Sequence, residues 1–376
     1  MALSVPDATP PGRPELGAFT ASPYLLELIA DTERLAARCV AADPSRRAAE
    51  AARRRDGTAL ASLRLDGSPI EAAPTADAVT TARTTVDAAT LEDPRRGTWF
   101  DAMRAFDGVD PDDPEAVAHD ASVHALEFDG VAAANDADDL ADALLTDPVP
   151  TLAELHRRLT LHLVAPDRAG RLREVEQAVH DASVGRIMYF TADPAVLADE
   201  LEHLAAWLTA SGRDEHGVVV SGIVHLELLR LHPFDAANGR LARAAARLLL
   251  RARGLDPDGL AAPEVLLDQD RLGYHDEVAR TLRRRDAGLW LERWAEAVAD
   301  GLRGAARELG QLGGAVPERS GAFVAARAPG TVVTVADHRE ETGLDPEASR
   351  AELRALLDAR LVTRVPGSRG LRFTVV

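Results

Sequence analysis

The strongest constraint on the fold is the run from Gly217 to Leu231, which is apolar at nearly every turn (Val218, Val219, Val220, Ile223, Val224, Leu226, Leu228, Leu229). A helix with a single apolar stripe can lie on a surface, but one that is apolar almost all round is buried on most sides. At Pro233 the pattern breaks and the chain must turn. A second helical run follows over 241–255, rich in Ala, Leu and Arg, the strongest helix formers, with Gly254 as its stop. Asn238-Gly239, a turn dipeptide, stands where that run opens.

The junction between the two helices has the chemistry of a site. The first turn of a helix carries N–H groups without intrahelical partners and the positive end of the macrodipole, so the start at Asn238-Gly239-Arg240 suits an anion. Gly239 lets a phosphate approach the backbone. Arg240 and Arg243, three apart, share a face and can grip a di- or triphosphate through charge-assisted bonds. His232 is the one side chain in the stretch able to act as a general base near neutral pH. A base facing a phosphate cradle points to phosphoryl or nucleotidyl transfer to a hydroxyl.

These residues resemble the Fic family, which is marked by His-x-Phe-x-Asp/Glu-Gly-Asn-Gly-Arg-x-x-Arg on the loop between two central helices. His232, Phe234, Asn238, Gly239, Arg240 and Arg243 match that pattern in register. The resemblance implies a mostly α fold, a helical bundle with a small β-hairpin flap, and transfer of AMP from ATP to a Ser, Thr or Tyr hydroxyl of a target protein. It further implies that His232 is the catalytic base, that Phe234 anchors the loop, that Asn238, Gly239 and Arg240 hold phosphates and that Arg243 reaches the terminal one. Two positions depart. Ala236 stands where the family has its acidic residue and Ala237 where it has its first glycine. The acidic residue holds Mg²⁺ in the family and a methyl cannot, so Mg²⁺ dependence is expected to be weakened, with adjacent Asp235 as the substitute ligand. Ala237 brings strain of roughly 1–2 kcal/mol if its position is left-handed.

A second resemblance lies upstream. A subset of the family carries an inhibitory helix with Ser/Thr-x-x-x-Glu-Gly or -Asn, and Ser62-Leu-Arg-Leu-Asp66-Gly67, in a helical stretch over 58–67, fits it with Asp for Glu. The implication is that Asp66 pairs with Arg243 and blocks the terminal phosphate; the bland alternative is an ordinary surface helix end. Aspartate is one methylene shorter, so either the lock is looser or the helix sits closer.

The whole chain bounds these readings. Its 376 residues suffice for two or three domains. A net charge of −18 argues against a dominant nucleic-acid surface. All its basic residues are arginine, which reads as codon bias, and scarce asparagine includes Asn238. The single cysteine, Cys39, rules out an intrachain disulfide, and with no zinc spacing in sight a reducing cytoplasm is expected. No apolar run reaches the ~20 residues of a membrane span, and residues 1–20 read as a Pro-rich disordered lead rather than a signal peptide.

In chain order, an N-terminal helical region is expected over 21–98, with a connector from 68 that holds at most one short helix. The catalytic core would cover 99–313. Within it, helices are expected from 98–106, 114–131, 136–145 and 151–163, the last with Thr151 and Glu154 as a capping box. His156 and His162 there are read as packed or exposed rather than metal ligands. The segment Arg186–Phe190 alternates like a short strand and, by the resemblance, is the flap that would clamp a target segment by strand addition; alone it could be a plain connecting strand. A helix at 194–210 and two more at 268–285 and 289–313 follow, the former of the pair carrying Tyr274, the latter packed down by Trp290 and Trp294.

Residues 320–376 read as helix, helix and two strands, a winged-helix-like α+β module. Arg350 and Arg354 would lie on its helix and Arg364, Arg369 and Arg372 on the wing, but Glu347, Glu352 and Asp358 offset them. Docking or support of a homodimer is therefore favoured over DNA binding, which needs a net basic face. The main functional reading is an autoinhibited protein nucleotidylyltransferase. The alternatives are a degenerate nucleotide-binding protein marked by Ala236 and Ala237, and a DNA-binding regulator led by the C-terminal module.

Overall fold

The computed structural model describes residues 13–17, 19–86, 114–181, 186–312, 316–365 and 371–376. A proline in the first turn and a capping side chain before it start the N-terminal helices. Helix α1 (Pro23–Val40) follows Ser22, whose Oγ accepts from the Leu25 N–H at 3.0 Å. Helix α2 (Pro44–Leu65) follows Asp43, whose carboxylate accepts from Ser45 N at 2.9 Å. The helical stretch expected over 58–67 is the second half of α2, which runs unbroken through Gly57. Helix α3 (Ala76–Thr85) is the short helix expected in the connector. The helix expected over 98–106 lies outside the described residues.

Next come α4 (Pro114–Asn135), the single turn α5 (Ala141–Leu144) and α6 (Pro148–Leu159). The capping box expected at Thr151 is not formed: Pro148 starts α6 one turn earlier, and the Thr151 hydroxyl donates to the Asp147 carbonyl at 2.6 Å. A hairpin of β1 (Ala178–Asp181) and β2 (Arg186–Phe190) pairs antiparallel with a register shift between Val179 and His180. After α7 (Leu197–Thr209) stand the two central helices, α8 (Gly217–Leu231) and α9 (Asn238–Ala252), packed together. A short α10 (Pro263–Asp268) precedes the helix expected over 268–285, which is α11 (Arg271–Arg284); it starts a little later than expected because the Asp270 carboxylate caps it, accepting from Gly273 N at 3.1 Å. Helix α12 (Gly288–Glu308) closes the bundle.

One hydrophobic core joins the N-terminal helices to the middle of the chain, taking in Leu28, Leu35 and Leu63 together with Leu226, Leu248 and Trp294. Small residues allow the close approach. A Cβ at Gly222 of α8 would lie 2.8 Å from Leu291 and 3.0 Å from Trp294 of α12, and one at Gly301 would strike the Ala261 carbonyl. Trp290 and Trp294 are fully buried, their ring N–H groups donating to the Gly222 carbonyl and the Ser221 hydroxyl, each at 2.9 Å. α9 buries even its polar face. Arg240, Arg243 and Arg247, spaced three and four apart, are all 5 % exposed or less and meet carboxylates on other helices.

The C-terminal unit has its own core around Phe323, Leu353, Leu356, Val362 and Phe373. It comprises α13 (Glu318–Ala325), β3 (Val332–Thr334), α14 (Val335–Thr342), α15 (Pro346–Asp358), β4 (Val362–Arg364) and β5 (Arg372–Val375), with strand order β3-β5-β4. β3 had been read as the start of a helix; Thr334 in fact caps α14 through a capping box with Asp337, so the residues before it are free to pair with β5. Two of the arginines expected on the helix and wing pair with carboxylates of the N-terminal helices. Arg364 is buried against Asp31 of α1 at 3.0 Å and Asp300 of α12 at 3.5 Å, and Arg350 meets Glu27 at 2.5 Å. Arg369 lies outside the described residues.

Candidate active site

α8 ends at His232, which takes the left-handed conformation (φ 44°, ψ 63°) and donates its backbone N–H to the Leu228 carbonyl at 2.9 Å. Its Nδ1 lies 2.6 Å from the Leu229 carbonyl oxygen. A carbonyl can only accept, so Nδ1 carries the proton and Nε2 keeps its lone pair. Burial pushes the imidazole down to about 4, only partly offset by the Leu229 bond, so His232 is neutral at physiological pH. The Tyr189 ring of the hairpin stands edge-on to it, with centroids 6.3 Å apart.

The loop after His232 is held from three sides. Arg173, 2 % exposed, donates from Nε to the His232 carbonyl at 2.6 Å and from Nη2 to the Leu231 carbonyl at 3.0 Å, while Nη1 reaches the Val175 carbonyl at 2.7 Å. Phe234 is buried as the sequence suggested, its ring stacked on His156 at 4.2 Å. His156 accepts from Gly170 N at Nδ1 (2.9 Å), so its Nε2 donates to the Ala236 carbonyl at 3.1 Å. Asn238 has a different side-chain task from the one implied: its amide accepts from Phe234 N at 3.0 Å and donates to Phe234 O at 2.7 Å, clamping the loop rather than facing a phosphate.

At the first turn of α9, expected as an anion cradle, a carboxylate of the chain itself stands against the backbone. A Cβ at Gly239 would lie 2.6 Å from Asp66 Oδ1. Arg243 Nη2 donates to the same oxygen at 2.6 Å, and Arg240 Nε is 3.5 Å from Oδ2. Arg243 also donates from Nε to the Ser62 hydroxyl and from Nη2 to the Ser62 carbonyl, both at 2.8 Å. The shorter aspartate reaches because the α2 backbone itself comes within hydrogen-bond distance of Arg243. Gly67, at φ 89°, closes α2, and the Ser68 N–H returns to the Leu63 carbonyl at 3.1 Å, which fixes Asp66 in its place. Tyr274 of α11 is buried beside Arg243, its hydroxyl 3.1 Å from His225 Nε2, and His275 reaches the Leu65 carbonyl at 2.8 Å. Ser62, Asp66, Gly239, Arg240 and Arg243 thus meet at the start of α9, and His232 is near enough to feel the Asp66 charge.

The residues do not fit the Mg²⁺ that the resemblance implies. The Ala236 side chain is a methyl group, its carbonyl already accepts from His156, and the Asp235 carboxylate, proposed as substitute ligand, is paired with Arg168 at 2.6 Å. Among the described residues no cluster of His, Cys, Asp and Glu could hold a metal. The second departure carries the strain expected of it: Ala237 sits at φ 57°, ψ 20°, with no side-chain cap. Ala237→Gly is therefore expected to stabilise the fold by about 1 kcal/mol, the left-handed penalty of ~1–2 kcal/mol less the ~0.5–1 kcal/mol of chain entropy that glycine adds. Chemical denaturation would check it; an unchanged midpoint would mean the loop absorbs the strain elsewhere.

Sequence reasoning missed Arg173 and Glu127, the buried carboxylate 3.1 Å from Arg240. Neither carries a signal, since both lie in stretches where charge reads as surface. His156 had one: it shares the buried face of α6 with Leu152, Leu155 and Leu159.

Residues 147–250 match the family model described as the Fic/DOC family. The chain is similar to a uridine 5'-monophosphate transferase of Xanthomonas campestris pv. campestris, 37% identical over 70 residues, which is 17% of this chain and 13% of that protein. It is also similar to the protein adenylyltransferase Fic of Drosophila grimshawi, 32% identical over 107 residues, 28% of this chain and 20% of the relative. Both matches span a fifth or less of the relatives' own length. The solved structure of a Fic family protein from Desulfovibrio desulfuricans G20 superposes with a TM-score of 0.54 at 20% identity, covering 97% of this chain and 98% of the other, which shows a shared helical fold. The loop between α8 and α9, with His232 at its start and Gly239, Arg240 and Arg243 at its end, lies inside residues 147–250, and it is this stretch of the chain that matches the Fic/DOC family.

Proposed function

We propose that the chain is a protein nucleotidylyltransferase that moves AMP from ATP onto a Ser, Thr or Tyr hydroxyl of a target protein, and that Asp66 holds it in a restrained state. The observation that carries this reading is the Asp66 carboxylate seated against Gly239 and Arg243, close enough for its charge to act on His232. A carboxylate there occupies a position suited to a phosphate oxygen. With Asp66 withdrawn, ATP binds with its phosphates at the start of α9. The acceptor hydroxyl gives its proton to His232 Nε2 as its oxygen attacks the α-phosphorus; the bond to the β-phosphate oxygen breaks and pyrophosphate leaves. Arg240, Arg243 and the free N–H groups of α9 stabilise the developing charge.

The test is transfer of label from α-labelled ATP, and in parallel α-labelled UTP, to protein acceptors by the wild type and by Asp66→Ala. Label from ATP in the variant supports adenylyl transfer, and label from UTP alone would change the donor. Ala236 favours a second reading, a nucleotide-binding protein without turnover; measurable ATP affinity with no label in either protein would establish it.

The pH profile offers a further check. Because His232 is held near 4, kcat/KM of the Asp66→Ala variant is expected to stay flat from pH 8 down to about 5 and to fall below that, as the base is lost to protonation. An acid limb centred at about 6.5, the value of a solvated imidazole, would contradict the assignment. For the C-terminal unit, the pairing of Arg350 and Arg364 with Glu27 and Asp31 supports a winged-helix-like docking module over a DNA-binding one.

A further inference from the structure

A second concavity, of about 870 Å³, lies between the segment entering α1, the C-terminal half of α11 and the start of α12. Two long helices open on it with their N-termini, α1 at Ser22–Pro23 and α12 at Gly288. Three carboxylates also stand on its wall: Glu292 accepts the Ser22 hydroxyl at 2.5 Å, Asp286 accepts the Gly288 N–H at 2.9 Å, and Glu277 lies 3.9 Å from Arg280. Arg285 is drawn to Glu15 at 2.9 Å. That leaves Arg280 and Arg284, four apart on one face of α11. Arg280 makes only long contacts, 3.7 Å to Asp276 and 3.9 Å to Glu277, and Arg284 has no ion-pair partner among the described residues.

The deciding group is Thr281, which also lines the groove. It is 2 % exposed, yet its hydroxyl has no hydrogen-bond partner among the described residues. Other helical threonines here satisfy theirs on the carbonyl four residues back: Thr58 on Arg54 at 2.9 Å, Thr160 on His156 at 2.7 Å, Thr209 on Ala205 at 2.9 Å. A buried hydroxyl without a partner is destabilising unless something else supplies one. Beside two arginines and two helix N-termini, that partner is an anion; Phe19, Tyr24 and Leu289 supply an apolar wall for the body that carries it.

We infer that this groove binds a phosphate-bearing small molecule, distinct from the nucleotide of the catalytic cleft, through Arg280, Arg284 and the Thr281 hydroxyl. The same α11 presents Tyr274 and His275 to the cleft, and Arg283 donates to the Met188 carbonyl of the hairpin at 3.3 Å, so a ligand here bears on the helix that lines the catalytic site.

Equilibrium dialysis with labelled orthophosphate and with labelled AMP tests it on the full chain. Saturable binding of at least one probe is expected, weakened about tenfold by Arg284→Gln and several-fold by Thr281→Val, a variant that keeps the charge. Thr281→Val should melt no lower than the wild type, since it removes a buried hydroxyl that lacks a partner. Tighter binding of AMP than of orthophosphate, with the same loss in both variants, assigns a nucleotide body; equal affinities assign the phosphate alone. No saturable binding of either probe, or binding that neither substitution weakens, overturns the inference.

Discussion

In the Asp66→Ala background, His232→Ala is expected to lower target labelling by about two to four orders of magnitude, the usual contribution of a positioned general base, while ATP affinity changes by no more than about threefold. The asymmetry follows from the geometry. In the proposed mechanism the phosphates are gripped by the first turn of α9, by Arg240 and by Arg243, whereas the imidazole stands at the end of α8 with its only available lone pair on Nε2. The role proposed for it, proton acceptor, concerns the incoming hydroxyl and not the nucleotide. Isothermal titration of ATP alongside the transfer assay separates the two quantities. A large loss of affinity with little change in the labelling rate at saturation would reverse the assignment and make His232 a phosphate ligand.

Asp66→Ala itself is expected to raise transfer at least about tenfold and at the same time to weaken the unliganded fold. Its carboxylate is the main counter-ion of Arg243, whose side chain is 1 % exposed. Removing one partner of a fully buried ion pair is destabilising by ~3–5 kcal/mol; Asp66 is 16 % exposed and Ser62 still receives two bonds from Arg243, so about 2 kcal/mol is the better expectation here. Saturating nucleotide should return that stability by mass action, about 2.7 kcal/mol at a concentration a hundred times its Kd, since its phosphate replaces the lost carboxylate. Thermal melts with and without ATP read this directly: the variant should melt lower than the wild type when empty and gain more on adding ATP. Equal gains in both proteins, with no rise in labelling, would leave Asp66 as an ordinary helix end.

Much of this was legible in the chain because the features that matter repeat on short scales. The all-apolar Gly217–Leu231 announced a central helix, the six matched positions from His232 to Arg243 announced the loop, and Ser62-x-x-x-Asp66-Gly67 announced the contact across 177 residues that the structure forms. What escaped notice was long-range and polar. Arg173 looks like any surface arginine until the fold closes over it, and Asp235 looked available until Arg168, 67 residues earlier, proved to hold it. Asn238 matched its motif position, but which of its neighbours the amide would bond could not be read from spacing. Helix boundaries slipped where a proline or aspartate acted one turn away from the apolar pattern, as at Pro148 and Asp270.

Arg173 has one more implication. By lacing together carbonyls from Leu231, His232 and Val175, it fastens the turn beneath the base to the strand-side segment, with the Asn238 clamp completing the fastening from the other end. Nothing in that turn waits for a guest before taking its shape. On the function proposed above, control would then lie in access to the start of α9, where the Asp66 carboxylate now sits, and not in any reshaping of the turn.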